Sequence, residues 1–163
     1  MSLHLETDNQ PISSVALRKV CPVHKGMAIA CCCAAMASLT PVALVQLKIV
    51  RNLPDPPGRI FNSKRIVTSK GAYRFGIPDG VLGVASYGVT LALLMAAKPS
   101  RPVVRKMLRA KVALDAAMAI RGLRRQITQH GRICSWCVGT AAATAGMVYF
   151  ARKAREAERL HLV

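Results

Sequence analysis

Two cysteines three residues apart, Cys134 and Cys137, have the spacing at which paired thiols can be oxidised to a disulfide and reduced again. On a helix such a pair shares one face, and the unpaired N–H groups of a first helical turn favour the thiolate that does the exchange. Two blander readings of the same residues stand beside it. The thiols can serve as small apolar packing groups, or as half of a zinc site. A structural zinc takes four ligands, and the comparable second pair is Cys21 with His24 in Cys21-Pro22-Val23-His24. Cys31-Cys32-Cys33 reads as packing, because adjacent helical residues point about 100° apart and three in a row cannot face one ligand.

The elements that must position the Cys134–Cys137 pair are long and apolar. Gly26 to Leu47 runs 22 residues without a charge, Gly76 to Ala97 runs 22 with only Asp79, and Ile133 to Ala151 runs 19 with none. Roughly 20 apolar residues cover a hydrocarbon core of about 30 Å, so each run is long enough to cross a bilayer. Pro41 in the first run predicts a kink, which neighbouring helices can tolerate.

Between the first two runs, Leu53-Pro54-Asp55-Pro56-Pro57-Gly58 excludes a continuous helix and predicts an ordered extramembrane loop or cap. Pro78 is expected in the first turn of the second span, with Asp79 at the membrane entrance. The stretch Arg101 to Arg125 carries Arg105, Lys106, Arg109, Lys111, Asp115 and Arg121 among apolar residues. It reads either as a third span centred on Val112 to Ile120 with basic flanks, or as an amphipathic helix in the interface. Lys111 and Asp115, spaced i,i+4, can pair on one face and lower the cost of burial.

The chain has 163 residues, 52% of them apolar, and a net charge of +17. That charge in a soluble protein points to nucleic acid, but the mean hydropathy of +0.30 and the long uncharged runs point away from it. The segment Met1 to Lys25 contains Asp8, Pro11 and three serines, so the first apolar run is expected to be retained rather than cleaved as a signal peptide. The tail from Arg152 to Val163 reads as a solvated helical extension.

Cys134-Ser135-Trp136-Cys137 at the start of the last helix resembles the redox motif of the vitamin K epoxide reductase family. Ser69 in the loop, and Phe75-Gly76-Ile77-Pro78-Asp79-Gly80-Val81-Leu82-Gly83 leading to Tyr87, carry the resemblance over roughly residues 60–150. It implies an all-α fold: an integral membrane four-helix bundle around a quinone, with an extramembrane loop between helices 1 and 2. The expected division is a polar segment 1–25, a membrane domain 26–151 and a charged tail 152–163. Its spans lie at about 26–47, 76–97, 103–123 and 133–151, so the resemblance selects the reading with a third span.

Carried over residue by residue, the resemblance makes Cys137 the quinone-facing thiolate and Cys134 its exchanging partner, with Asp79, Tyr87 and Ser69 binding the quinone. A carboxylate at Asp79 accepts a hydrogen bond from a hydroquinone, or donates one to a quinone if burial protonates it. A helix cap or a counterion for the basic loop is the other reading of Asp79. The quinone is expected to be of the ubiquinone or menaquinone class, and no metal is expected.

The chain departs from the family in its loop. Family members carry two loop cysteines that relay electrons from a thioredoxin-like protein, whereas this chain has Asn62 where one would fall and no cysteine between Cys33 and Cys134. Cys21 is the remaining substitute. The expected function is a membrane thiol-disulfide/quinone oxidoreductase in which a thioredoxin-like or disulfide-forming protein acts directly on Cys134. The alternative is a quinone- or lipid-binding membrane protein of the same fold without a working relay. By the same analogy the motif faces the periplasm or exterior of a bacterial inner membrane, with membrane lipids and no nucleic acid among the partners.

Overall fold

The computed structural model describes residues 12–57, 60–74, 76–98 and 100–160, with side chains described from 23 to 156 apart from Lys70 and Arg74. Phe75 and the Cys21 side chain, both singled out in the sequence, lie outside the described residues. The structure is mostly helical. The elements are α1 (Ile12–Gln46), α2 (Ser63–Val67), a 3-10 turn (Lys70–Ala72), β1 (Tyr73–Arg74), β2 (Ile77–Pro78), α3 (Asp79–Ala96), α4 (Pro102–His130) and α5 (Ser135–Leu160). The helix α1 begins well before the first apolar run, and α5 carries the charged tail on as helix.

The long helices pack around one another, α1 against α5 and α3, and α4 against those same two. Small residues let them approach. Ala28, Cys32 and Ala35 of α1 meet Tyr87 and Leu94 of α3, Val112 of α4 and Met147 of α5 in one buried cluster. Cys32 and Cys31 therefore pack, as their sequence predicts, whereas Cys33 turns outward and is exposed, and the Cys32 thiol also donates to the Tyr87 carbonyl at 3.4 Å. Among the described residues two stretches, Val23–Gln46 and Asp79–Ala96, are long and apolar enough to cross a membrane, and the expected run at 133–151 is not one of them.

The basic third segment is one 29-residue helix rather than a short span between flanks. Pro102 starts it, where a missing N–H costs nothing, and Gly131 at φ 57° ends it in the left-handed conformation that glycine adopts without strain. Lys111 and Asp115 form the expected ion pair, with Asp115 also accepting from Ser86 and Thr90 of α3. Val103, Met107, Leu114 and Met118 of α4 are exposed at helical spacing, an outward apolar stripe.

The connection from α1 to α3 is an ordered cap. Asn62 caps α2 by accepting from the Arg65 N–H at 3.1 Å, and Phe61 pairs with Ile133 in a parallel bridge just ahead of α5. Pro78 lies one residue ahead of α3, in extended conformation opposite Tyr73, and not in the helix's first turn as its sequence suggests. Pairing in this short antiparallel ribbon outweighs the preference of proline for a helical start.

Candidate active site

Ser135 starts α5, and Cys134 sits just before it, fully buried in a second core with Val42, Val45, Leu53, Ile66 and Val67. One helical turn on, Cys137 is half-buried, and its N–H donates to the Cys134 sulfur at 3.4 Å. That contact sets residue 137 against the Cys134 sulfur, the neighbourhood in which a disulfide between the two cysteines can form.

Cys137 opens onto a cavity of about 280 Å³ between α1, α3, α4 and α5. Asp79, Leu82 and Tyr87 of α3, Met118 and Gln126 of α4, and Thr140 of α5 line it as well. The Tyr87 hydroxyl is engaged with Thr144 Oγ1 at 2.6 Å, leaving its ring as the wall. Asp79 stands in the first turn of α3, at the end of the cavity near the cap. The volume is at the lower edge of the roughly 300–1,000 Å³ of small-molecule sites, room for one ring system among apolar walls with few polar groups.

Three of the five sequence-predicted residues, Asp79, Tyr87 and Cys137, thus share one cavity. Cys134 lies behind it. Ser69 lines a smaller adjoining space of about 90 Å³, which Asp79 and Gln126 also border, and its hydroxyl donates to the Ile66 carbonyl at 2.8 Å.

Several residues that the sequence did not single out hold this arrangement. Buried Gln126 accepts the Cys134 N–H at 2.9 Å and lines the cavity beside Cys137. Buried Gln46 ends α1, donates to the Val67 and Ala72 carbonyls, and accepts the Gly80 N–H at 2.8 Å. Asp55 accepts from the Ser63 N–H at 2.8 Å, the Ser63 hydroxyl at 2.5 Å and the Ser135 hydroxyl at 2.9 Å. Burial alone raises the Asp55 carboxyl, but these hydrogen bonds outweigh it and hold the group below its ordinary value. Trp136 Nε1 donates to the Pro54 carbonyl at 3.1 Å, so both middle residues of the Cys134–Cys137 motif are fastened to the cap. The available signal for Asp55 was its isolation: it is the one acid among seven Lys and Arg from Lys48 to Arg74. His24, weighed as a zinc ligand, stacks on Phe150 with ring centroids 6.1 Å apart.

The family model of the vitamin K epoxide reductase family matches residues 25–151, most of the chain and all of the cavity. The chain belongs to the vitamin K epoxide reductase family. It is a family of oxidoreductases, generally membrane-bound, that act on quinones and disulfides. Family members are generally linked to thioredoxin-like partners. No curated protein and no solved structure matches the chain. Within the vitamin K epoxide reductase match fall the cap, the cavity and both Cys134 and Cys137.

Proposed function

We propose that this chain is a membrane thiol-disulfide/quinone oxidoreductase whose reacting groups are Cys134 and Cys137. The observation that carries this reading is that Cys137, whose N–H donates to the Cys134 sulfur, faces the same cavity as Asp79 and Tyr87. Oxidation of the pair joins the two sulfurs and releases two electrons and two protons, which a quinone of the ubiquinone or menaquinone class takes up when bound. Cys137 meets the ring, Tyr87 walls it, and Asp79 holds or supplies a proton at the capped end. Ser69 acts from the adjoining space by fixing the end of α2.

The same reading makes residues 26–151 a four-span membrane domain. Its support is the outward apolar stripe of α4, the internal neutralisation of Lys111 by Asp115, and a length of about 43 Å for 29 residues, ample for a 30 Å core. Residues 1–25 and 152–163 then flank the domain on one side, and the cap lies on the other, on the periplasmic face of a bacterial inner membrane. A thioredoxin-like or disulfide-forming partner exchanges with Cys134. Because Cys134 is fully buried beneath Leu53 and α2, that exchange requires the cap to lift.

The test is a membrane preparation supplied with quinone and a reduced dithiol protein. Turnover is expected to vanish in Cys134→Ala and in Cys137→Ala; turnover that survives both sinks the reading. The burial of Cys134, together with Asn62 in place of a loop thiol, favours a second reading: a quinone- or lipid-binding protein whose relay is lost. Quantitative isolation of the Cys134–Cys137 disulfide from cells, reducible by added hydroquinone, excludes that alternative.

A further inference from the structure

A second cavity is larger than the one beside Cys137. It measures about 540 Å³ and opens between α1, α4 and α5 at the end of the bundle where α3 finishes and α4 begins. Five cations from three helices border it: Lys25 of α1, Arg105 and Arg109 of α4, and Arg152 and Arg155 of α5. Arg105 and Arg155 also take part in other interactions within the protein. Lys25 is held in place by donating to the Ala97 carbonyl at the end of α3, at 2.7 Å.

Beyond this basic mouth the wall changes character. Ala113, Ala116, Ala117 and Ile120 continue the groove along α4. Arg105 to Ile120 covers about 22 Å at 1.5 Å per residue, comparable to an extended acyl chain in one leaflet. Alanines keep that wall shallow and open, with Arg109, Ala113, Ala117 and Arg152 exposed.

We infer that this groove binds an anionic glycerophospholipid, the phosphate against exposed Arg109 and Arg152 beside Lys25 and an acyl chain along the alanine face of α4. A cluster of cations at a leaflet edge attracts anionic headgroups, and a basic pocket between spans is the form such recognition takes. A soluble anion has no use for the long apolar wall. A neutral lipid has none for the cations. The multiplicity of positive charge also suits a phosphodiester headgroup better than a single fatty-acid carboxylate.

The experiment is native mass spectrometry of the full chain released from mixed micelles holding equal amounts of phosphatidylglycerol and phosphatidylcholine. Phosphatidylglycerol is expected to remain bound in preference. The double variant Arg109→Gln/Arg152→Gln removes two headgroup charges and should weaken that retention about thirtyfold. Ala116→Leu, which narrows the groove without altering charge, should weaken it too, and helical melting curves report whether each variant is folded. Inorganic phosphate in excess should leave the lipid in place. Equal retention of both lipids by the unaltered chain overturns the inference. So does an undiminished preference in the folded charge variant, or displacement by phosphate. None of these readouts uses quinone turnover, so the inference stands or falls apart from the chemistry at Cys137.

Discussion

The backbone N–H of Cys134 donates to Gln126 Oε1 at 2.9 Å, across the junction between the end of α4 and the start of α5. Gln126 also lines the cavity onto which Cys137 opens, so one buried amide stands beside both halves of the dithiol. Gln126→Leu keeps the bulk but strands a buried N–H, at a cost of about 1–3 kcal/mol. We expect dithiol oxidation to slow by about tenfold or more, with a smaller change in the quinone concentration at half-maximal rate. Equal kinetics in Gln126→Leu would remove this residue from any positioning role.

Asp55 ties the cap to α5 through Ser63 and Ser135. Asp55→Ala should therefore expose Cys134. Its alkylation in the detergent-solubilised protein is expected to accelerate about tenfold, equivalent to about 1.4 kcal/mol of cap closure. The pH dependence has a definite sign. A carboxyl held below its ordinary value contributes cap stability above the ordinary carboxylate range, and that contribution disappears as pH falls through the depressed value. Amide exchange across 60–67, corrected for intrinsic rates, should be flat from neutrality to about pH 5 and rise below about pH 4. Asp55→Asn should abolish that rise.

Two glycines of α3 should respond in opposite ways to the same change. A Cβ on Gly80 would lie 2.7 Å from Gln46 Oε1 and 2.9 Å from the Ala43 backbone nitrogen, whereas a Cβ on Gly88 meets nothing within 4 Å. The backbone of α1 cannot retreat without breaking the Gln46 hydrogen bonds that join α1, the cap and α3. Gly80→Ala is expected to destabilise by about 1–3 kcal/mol, while Gly88→Ala gains up to about 1 kcal/mol of helix propensity. Thermal melts of the two variants side by side decide it.

Residues with a periodic or covalent signature were legible in the sequence. The apolar runs gave the helices, Lys111 and Asp115 gave their ion pair, and the Cys134–Cys137 spacing gave a dithiol at a helix start. Gln46 and Gln126 were not, because a lone amide becomes a hub only when two distant helix ends meet over it. Cap closure over Cys134 was equally hidden, since it depends on Leu53 and Ile66 folding back on α1 rather than on any local pattern. The length of α4 was masked by its own charges, of which Lys111 and Asp115 pair inward.

The Lys111–Asp115 pair joins α3 to α4 through Ser86 and Thr90, with the Asp115 side chain only 3% exposed. Breaking one half of such a pair leaves a buried charge and typically costs 3–5 kcal/mol, about as much as replacing both halves with apolar groups recovers. Lys111→Met alone and Asp115→Leu alone should each depress the melting temperature sharply. The double variant should lie closer to the parent than either. Additive losses in the cycle would mean that the two side chains do not act as a pair.

Asn62 is the position at which to ask whether the missing loop thiol matters. Its N–H donates to the Ile133 carbonyl at 3.4 Å, and the neighbouring Ser63 is buried against Ser135, so the residue stands beside the start of the α5 motif. A cysteine there is placed to exchange with Cys134 from beneath the cap, without the cap lifting to admit a partner. Asn62→Cys also removes the cap of α2, a loss of about 1 kcal/mol that the surrounding pairing of Phe61 with Ile133 can absorb. We expect peptide mapping of the oxidised variant to find a disulfide between positions 62 and 134, and oxidation of an external dithiol to speed up relative to the parent. If the parent already turns over and the variant is no faster, Cys134 meets its partner directly. If neither turns over although the new disulfide forms, the block lies at the quinone side, at Cys137 and the cavity it shares with Asp79 and Tyr87.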